Sequence, residues 1–519
     1  MFAWSLPASF NRRNVAQFLF WALLFDLAFT QWPLYSENQN TKFLIGLAQA
    51  HYGNLAQDWL ANTIDPLPAF SFLVYFTYRF LYQGLFYVYH ALLLGVYLYS
   101  VVGIAQTVFP LAASRVGRLY FRIIVIAMHA GLLWPFAIPV MDSSLGWLLQ
   151  SGVASQYLLN PVFQPSTFGV LLILSIYLFL IDSPVWGAAV AAIAALMHST
   201  YLPSAAVLTA IYASHTLWRT RKLWPAIRVG GAALLIVLPV LIYNYLWLGP
   251  TNAELWAASQ DVIVNFRIPH HSLPEIWLNN TVYVKLALVL AALILTWRTR
   301  LFAVMLVSLL VAVGLTLLQM QAPNDTLAFI APWRISVFLV PLASTLIIGF
   351  AVAWLFKWLQ PWADKYWIAL GVAGLLLLAI QVRTGVLSMI DSFQDRQQHA
   401  AAALWRYVDE HKAPDEVYLA PTYMAEFRLE TGAPVVVTFK SHPYKDVEVL
   451  EWRSRIDAVN DFYGAMACDK LTLMQQKYGV THVVLEHGQA VEGCDDLTLE
   501  HADDRFDLYR LARLELNSR

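Results

Sequence analysis

The sequence predicts a polytopic α-helical membrane protein of about eleven transmembrane helices, followed by a C-terminal extracytoplasmic α/β domain. Three observations lead there. Of 519 residues, 59% are hydrophobic and 13% charged, about half the charge of an average soluble chain. Apolar runs of spanning length recur through the first 390 residues. The charge then changes sign: residues 1–390 hold 19 Lys+Arg and 11 Asp+Glu, net +8, whereas residues 391–519 hold 14 and 23, net −9. The near-neutral total gives no reason to expect a nucleic-acid partner.

The first apolar run, 14–31, follows Arg12 and Arg13. It reads as a retained signal anchor with a cytoplasmic N-terminus. Further runs fall at 84–107, 119–140, 166–181, 185–199, 202–217, 226–247, 281–297, 301–319, 334–356 and 366–388. The break at 198–203 also fits one re-entrant element. Alternating sides puts short loops at 115–122, 182–184, 219–228, 298–300 and 357–365 in the cytoplasm. With the N-terminus, these loops hold 13 of the 19 positive charges, as the positive-inside bias requires.

An odd number of crossings places residues 391–519 outside. The expected location is a plasma (inner) membrane, with the tail periplasmic or otherwise extracytoplasmic. Cys468 and Cys494 are the chain's two cysteines. In an oxidising compartment such a pair suits a disulfide, the alternative being two free thiols. Runs at Glu416–Ala420, Val435–Thr438, His482–Glu486 and Phe506–Leu511 read as strands. Val447–Tyr463 and Lys470–Lys477 read as helices between them. A polar and aromatic cluster, Phe427-Arg428 with Phe439 to Tyr444, either faces the membrane domain or serves the tail's own structure.

The outer loops are the long ones: 33–70, 141–166, 249–280 and 320–334. Eight acids map to them: Glu37, Asp58, Asp65, Asp142, Glu254, Asp261, Glu275 and Asp325. Lys42, Arg79, Arg267 and Arg334 lie on the same side, with His270 and His271. Arginine suits bidentate phosphate contacts. Taken singly, each of these is a solvated loop charge; their convergence on one side is what points to chemistry. Asp26, inside the first span, reads as a proton-coupling site, the partner of a buried base, or a protonated acid. His198 and the adjacent His270-His271 pair lack zinc-ligand spacing. A divalent cation, Mg or Mn, held by Glu37 and other outer-loop acids stays open as a cofactor.

The layout resembles the GT-C superfamily of integral membrane glycosyltransferases. The quotable features are Ser36-Glu37-Asn38 directly after the first span, a helix over 41–51 ending near Gly53, then Asp58-Trp59-Leu60 and the proline-rich return Pro66 to Pro68. In the second outer loop they are Tyr157, Pro161 and Gln164-Pro165-Ser166. The resemblance spans residues 1–390. It implies transfer of a sugar from a polyprenyl-phosphate donor to a glycan, lipid or protein acceptor at the outer face, with inversion. It implies Glu37 as general base, Asp58, Asp142 and Asp325 as supporting acids, and Arg334, Arg267 and Lys42 as ligands of the donor phosphate. His198, His270 and His271 are further polar candidates. Two alternatives remain: a transporter or flippase of lipid-linked sugars that uses Asp26, and a non-catalytic assembly protein for envelope polysaccharide that works through its tail.

Overall fold

The computed structural model describes residues 12–512, apart from 134–135, 140, 142 and 495–496. Twelve long helices make up the N-terminal part: α1 (Arg12–Phe29), α2 (Pro68–Phe80), α3 (Leu85–Val108), α4 (Arg115–His129), α5 (Val170–Leu180), α6 (Pro184–Met197), α7 (Leu202–Thr220), α8 (Leu223–Trp247), α9 (Asn280–Thr296), α10 (Arg300–Gln321), α11 (Leu339–Lys365) and α12 (Trp367–Gln397). All but α2 stand at the predicted span positions. Among the described residues, five helical segments are long and apolar enough to cross a membrane, and three shorter apolar helices accompany them.

Their interior is one hydrophobic cluster built from side chains such as Phe25, Leu94, Tyr97, Ile126, Leu172 and Leu342. The outward faces carry exposed Leu235, Tyr245, Ile294, Trp358 and Leu376. Large apolar side chains on the outside and a packed apolar inside are what a bilayer-facing bundle requires. The basic loops gather at one end. There Asp182, at a left-handed turn between α5 and α6, accepts from Arg300 at 2.6 Å and also from Arg219. Tyr120 of α4 reaches the Leu370 carbonyl of α12 at 3.0 Å on the same end.

Two expectations need correction here. The run 119–140 becomes a helix only to His129. Its start moves back to Arg115, where the Ser114 hydroxyl caps the Gly117 N–H at 3.0 Å. It stops because Ala130 is extended and Gly131 and Pro139 then disfavour helix. The predicted helix 41–51 is two short turns, Gln39–Lys42 and Leu44–Gln49.

The tail holds α13 (Ala402–His411), β1 (Tyr418–Leu419), α14 (Asp446–Ala465), α15 (Cys468–Tyr478), β2 (His482–Glu486), β3 (Leu497–Ala502) and β4 (Phe506–Leu511). The sheet order is β1-β2-β4-β3. Tyr418 pairs His482 in the parallel step, and Val484 pairs Leu508 in the antiparallel one. Cys468 and Cys494 are joined, with Cα atoms 5.1 Å apart. The segment 435–438, read as a strand, makes only an isolated bridge from Val435 to Tyr418. Its polar groups are used otherwise: the Val435 N–H goes to Asp58 at 3.0 Å, and the Val435 carbonyl and Thr438 hydroxyl both take Arg428.

Arg428 is the pin between tail and membrane domain. Its Nε donates to Asp58 Oδ2 at 2.7 Å, with both side chains essentially inaccessible. The other Asp58 oxygen accepts the Leu60 and Ala61 N–H groups at 2.9 and 3.2 Å. Beside the pin, Gly53 and Gly432 meet backbone to backbone. A Cβ on Gly53 would lie 2.4 Å from the Gly432 carbonyl, and both glycines hold positive φ. Thr251 adds two contacts to Asp446, at 2.6 and 2.8 Å. A buried charge stripped of its partner costs about 3–5 kcal/mol. Asp58→Ala is therefore expected to destabilise by that order and to release the tail, measured as a lowered melting temperature and faster tryptic cleavage near Arg428. Unchanged melting and cleavage would refute the pin.

Candidate functional site

Glu37 sits in the first turn after α1 with φ of 52°. That left-handed conformation costs a residue with a Cβ roughly 1–2 kcal/mol. The turn is held by the Asn40 N–H on the Glu37 carbonyl at 3.3 Å. The side chain is 45% exposed and pairs with Lys440 of the tail at 3.1 Å. Its other side borders a lateral cleft of about 470 Å³, walled by Trp32, Asp391, Arg396 and Trp405. Asn38 donates to the Tyr157 hydroxyl of the second outer loop at 3.1 Å. Two outer loops and the tail thus meet at this one turn.

The tail segment 439–445 runs as a strap across the end of the bundle that carries the tail. The Lys440 carbonyl accepts from Arg267 Nη2 at 2.7 Å. The Ser441 hydroxyl bonds Thr41 at 2.9 Å. Tyr444 accepts from Lys42 Nζ at 3.0 Å. Arg334, in the 3₁₀ turn Pro332–Ser336, is positioned by Ser204 of α7, which donates to its carbonyl at 2.7 Å. The left-handed Ala331 just before it aims that turn.

The electrostatics show that these cations share one space. Burial raises the Tyr444 phenol, but Lys42, Arg334 and Arg267 lower it more, and the net value lies below the ordinary one. Burial drives His442 well below its ordinary value, and Arg267, Lys42 and Arg334 add to that. Burial and then Arg334 and His270 bring His271 to about 3. His270 is lowered by burial, then by Arg267, Lys440 and Arg334. The histidines are therefore neutral near pH 7, while the lysines and arginines supply the charge. Several buried polar atoms here have no partner in the protein: Nε of Arg267, Nδ1 of His442 and both side-chain polar atoms of Asn40. Lys42, Arg267 and Arg334 thus form a closed cationic chamber around Tyr444, and the gap beside Lys42, His442 and Tyr444 holds about 20 Å³, room for roughly one water.

The predicted site residues separate into groups. Glu37, Lys42, Arg267 and Arg334 come together, with His270 and His271 alongside. His271 Nδ1 donates to the Ala154 carbonyl at 2.8 Å. His198, at the break between α6 and α7, feels the charges of Lys42 and Arg334. It lies 3.2 Å from the Thr200 hydroxyl. Asp58 is corrected from supporting acid to structural pin, because both its oxygens are occupied by Arg428 and by backbone N–H groups. Asp325 opens the helical turn Asp325–Ile330. Among the described residues it makes no ion pair with the chamber. Asp142 lies outside the described residues. Asp26 is the partner of a buried base: His90 stands 3.5 Å away, and Gln31 donates to the same oxygen at 2.7 Å.

The charge nearest to Glu37 is the Lys440 ammonium, and among the described residues no group of three or more His, Cys, Asp or Glu side chains is placed to hold a metal ion. Sequence reasoning marked the 439–444 cluster but gave no role to Lys440, His442 or Tyr444. Their alternation of basic and aromatic side chains was the available signal.

The depressed Tyr444 phenol has a spectroscopic consequence. Its phenolate contributes stability above the ordinary tyrosine value of 10.0. That contribution is lost as pH falls through the lower, folded value. Ultraviolet titration of the native protein minus Tyr444→Phe is expected to show one phenol ionising early, and Lys42→Met is expected to move it upward. A difference spectrum centred at the ordinary value would refute the arrangement. Tyr444 also lies in the part of the chain for which a relationship is visible: a family described as a domain of unknown function, DUF6798, matches residues 399–459, the stretch that carries Arg428 and the strap. No curated protein matches the chain.

Proposed function

We propose that the chain is a GT-C-like membrane glycosyltransferase that moves a sugar from a polyprenyl-phosphate donor to an acceptor hydroxyl at the outer face. In this reading all eleven helices at the predicted positions cross the membrane. The N-terminus is cytoplasmic and the tail extracytoplasmic. The observation that carries the reading is the meeting of Lys42, Arg267 and Arg334, from three different outer loops, around one buried phenol beside the Glu37 carboxylate.

The chemistry follows from the charges. Glu37 takes the proton of the acceptor hydroxyl, whose oxygen attacks C1 of the sugar from the face opposite the phosphate. The C1–O bond to phosphate breaks, and the electron pair leaves on the lipid phosphate. Lys42, Arg267 and Arg334 face the charge that develops there, in a chamber where water does not screen it. One displacement inverts the anomeric centre, and Glu37 afterwards returns its proton to solvent. The lateral cleft beside Glu37 gives the acceptor a route that does not cross the cationic chamber. Lys440 must leave the carboxylate before Glu37 acts as a base.

General-base catalysis of this kind is worth about 10²–10⁴-fold. Glu37→Gln is therefore expected to lower transfer from a radiolabelled polyprenyl-phosphate sugar by that factor, with donor binding retained. Arg334→Gln is expected to weaken donor binding instead. Transfer at the unmodified rate in Glu37→Gln would overturn the assignment.

A further inference from the structure

The opposite, basic end of the bundle holds a second polar chamber that sugar transfer does not use. It lies between α1, α3, α4 and α5, encloses about 240 Å³, and is lined by Gln17, Trp21, Tyr99, Gln106, Arg122 and Tyr177. Two glycines of α3 set its shape. A Cβ on Gly95 would come within 2.5 Å of Ala22 on α1, and one on Gly103 within 2.5 Å of the Tyr177 ring. The helices therefore touch at these points and leave the gap between bulkier neighbours. Tyr99 and Tyr177 pack edge to face at 5.6 Å and form one wall.

The lining is unusual for its surroundings. Leu19, Phe20 and Leu23, interleaved along α1 with the lining residues Gln17 and Trp21, are about half exposed and face outward as a lipid-contacting surface would. Three amides (Asn14, Gln17 and Gln106), two phenols and a guanidinium among such residues need a polar occupant, because polar groups left against hydrocarbon are costly. Arg122 lies over the Trp21 ring at 5.2 Å, a contact that leaves its N–H donors free. Among the described residues no carboxylate pairs with it. Asp182, the acid of this end that is engaged, is held by Arg219 and Arg300. Arg12, Arg13, Arg115 and Arg118 add charge of the same sign at the same helix ends. An apolar groove of about 370 Å³ follows on the same face of α3, lined by Leu19, Leu23, Val88 and Leu92. The seven-residue step from Val88 and Leu92 to Gly95 and Tyr99 keeps that face continuous.

We infer that this chamber binds the headgroup of an anionic phospholipid from the leaflet at the basic end. Arg122 holds the phosphate, and Gln17 and Gln106 hold the headgroup polar atoms. The acyl chains lie on the apolar side chains toward the middle of the bundle. Basic pockets between helices on this side of a membrane recognise such headgroups.

The test uses the full chain in phosphatidylcholine nanodiscs titrated with phosphatidylglycerol, read as the melting temperature against lipid fraction. Phosphatidylglycerol is expected to raise the melting temperature saturably. Arg122→Gln is expected to weaken the apparent affinity about fivefold, the contribution of one basic residue near an anionic surface. Arg122→Lys is expected to retain part of it. Gln106→Leu carries the same expectation in a milder form, should Arg122→Gln fail to fold. An unshifted titration in the variants would overturn the site. An equal rise with inorganic phosphate in phosphatidylcholine discs would also overturn it, by marking a free-anion site. Sugar transfer by Glu37 is not needed for any of these readings.

Discussion

The buried ion pair between Arg428 and Asp58 is the constraint on which the outer half of the molecule depends. An arginine taken out of water needs a counter-charge and hydrogen-bond acceptors, and here each of its three nitrogens donates to one. That requirement ties together a loop that follows α1, a helical turn of the tail and the segment 435–438. Once these are joined, the strap that follows has little freedom. It must cross the outer end of the bundle before α14 begins, and so it lands on Thr41, Lys42 and Arg267.

The chamber under the strap has a charge imbalance that packing alone does not explain. Four cations approach it, and the carboxylate in direct contact with one of them is Glu37. A buried phenol is drawn toward ionisation by these cations, and the Nε of Arg267 stands without a partner among the described residues. The left-handed backbone at Glu37 and at Ala331 fits the same view, since strain of this kind survives where the surroundings over-determine a conformation.

Much of the fold was legible because its signals are local. Helices stand at every predicted span, since an apolar run of that length has few other solutions. Lys42, Arg267 and Arg334 were legible as a set because they fall in the long loops that alternation of the spans puts on one side. The misses were non-local. Asp58 reads like any loop acid until Arg428, 370 positions away, is placed against it. Residues 435–438 have strand-forming side chains, yet their backbone groups serve the docking surface instead of a ladder. Strand β3 was unread because its exposed Thr498 and Leu499 give an edge strand without clean alternation. The seat of the strap depends on a partner surface, and no periodicity encodes that.

The Lys440–Glu37 contact joins residues 403 positions apart. During synthesis Glu37 emerges early and Lys440 only after every helix of the bundle has been made. Chains acquire structure from the N-terminus onward, so the chamber stays open and unfinished until the strap has been made. A ribosome that stops short of residue 440 leaves a bundle without its strap. Completion of the site is thereby a report that the bundle and the chain through the strap have been made and have docked.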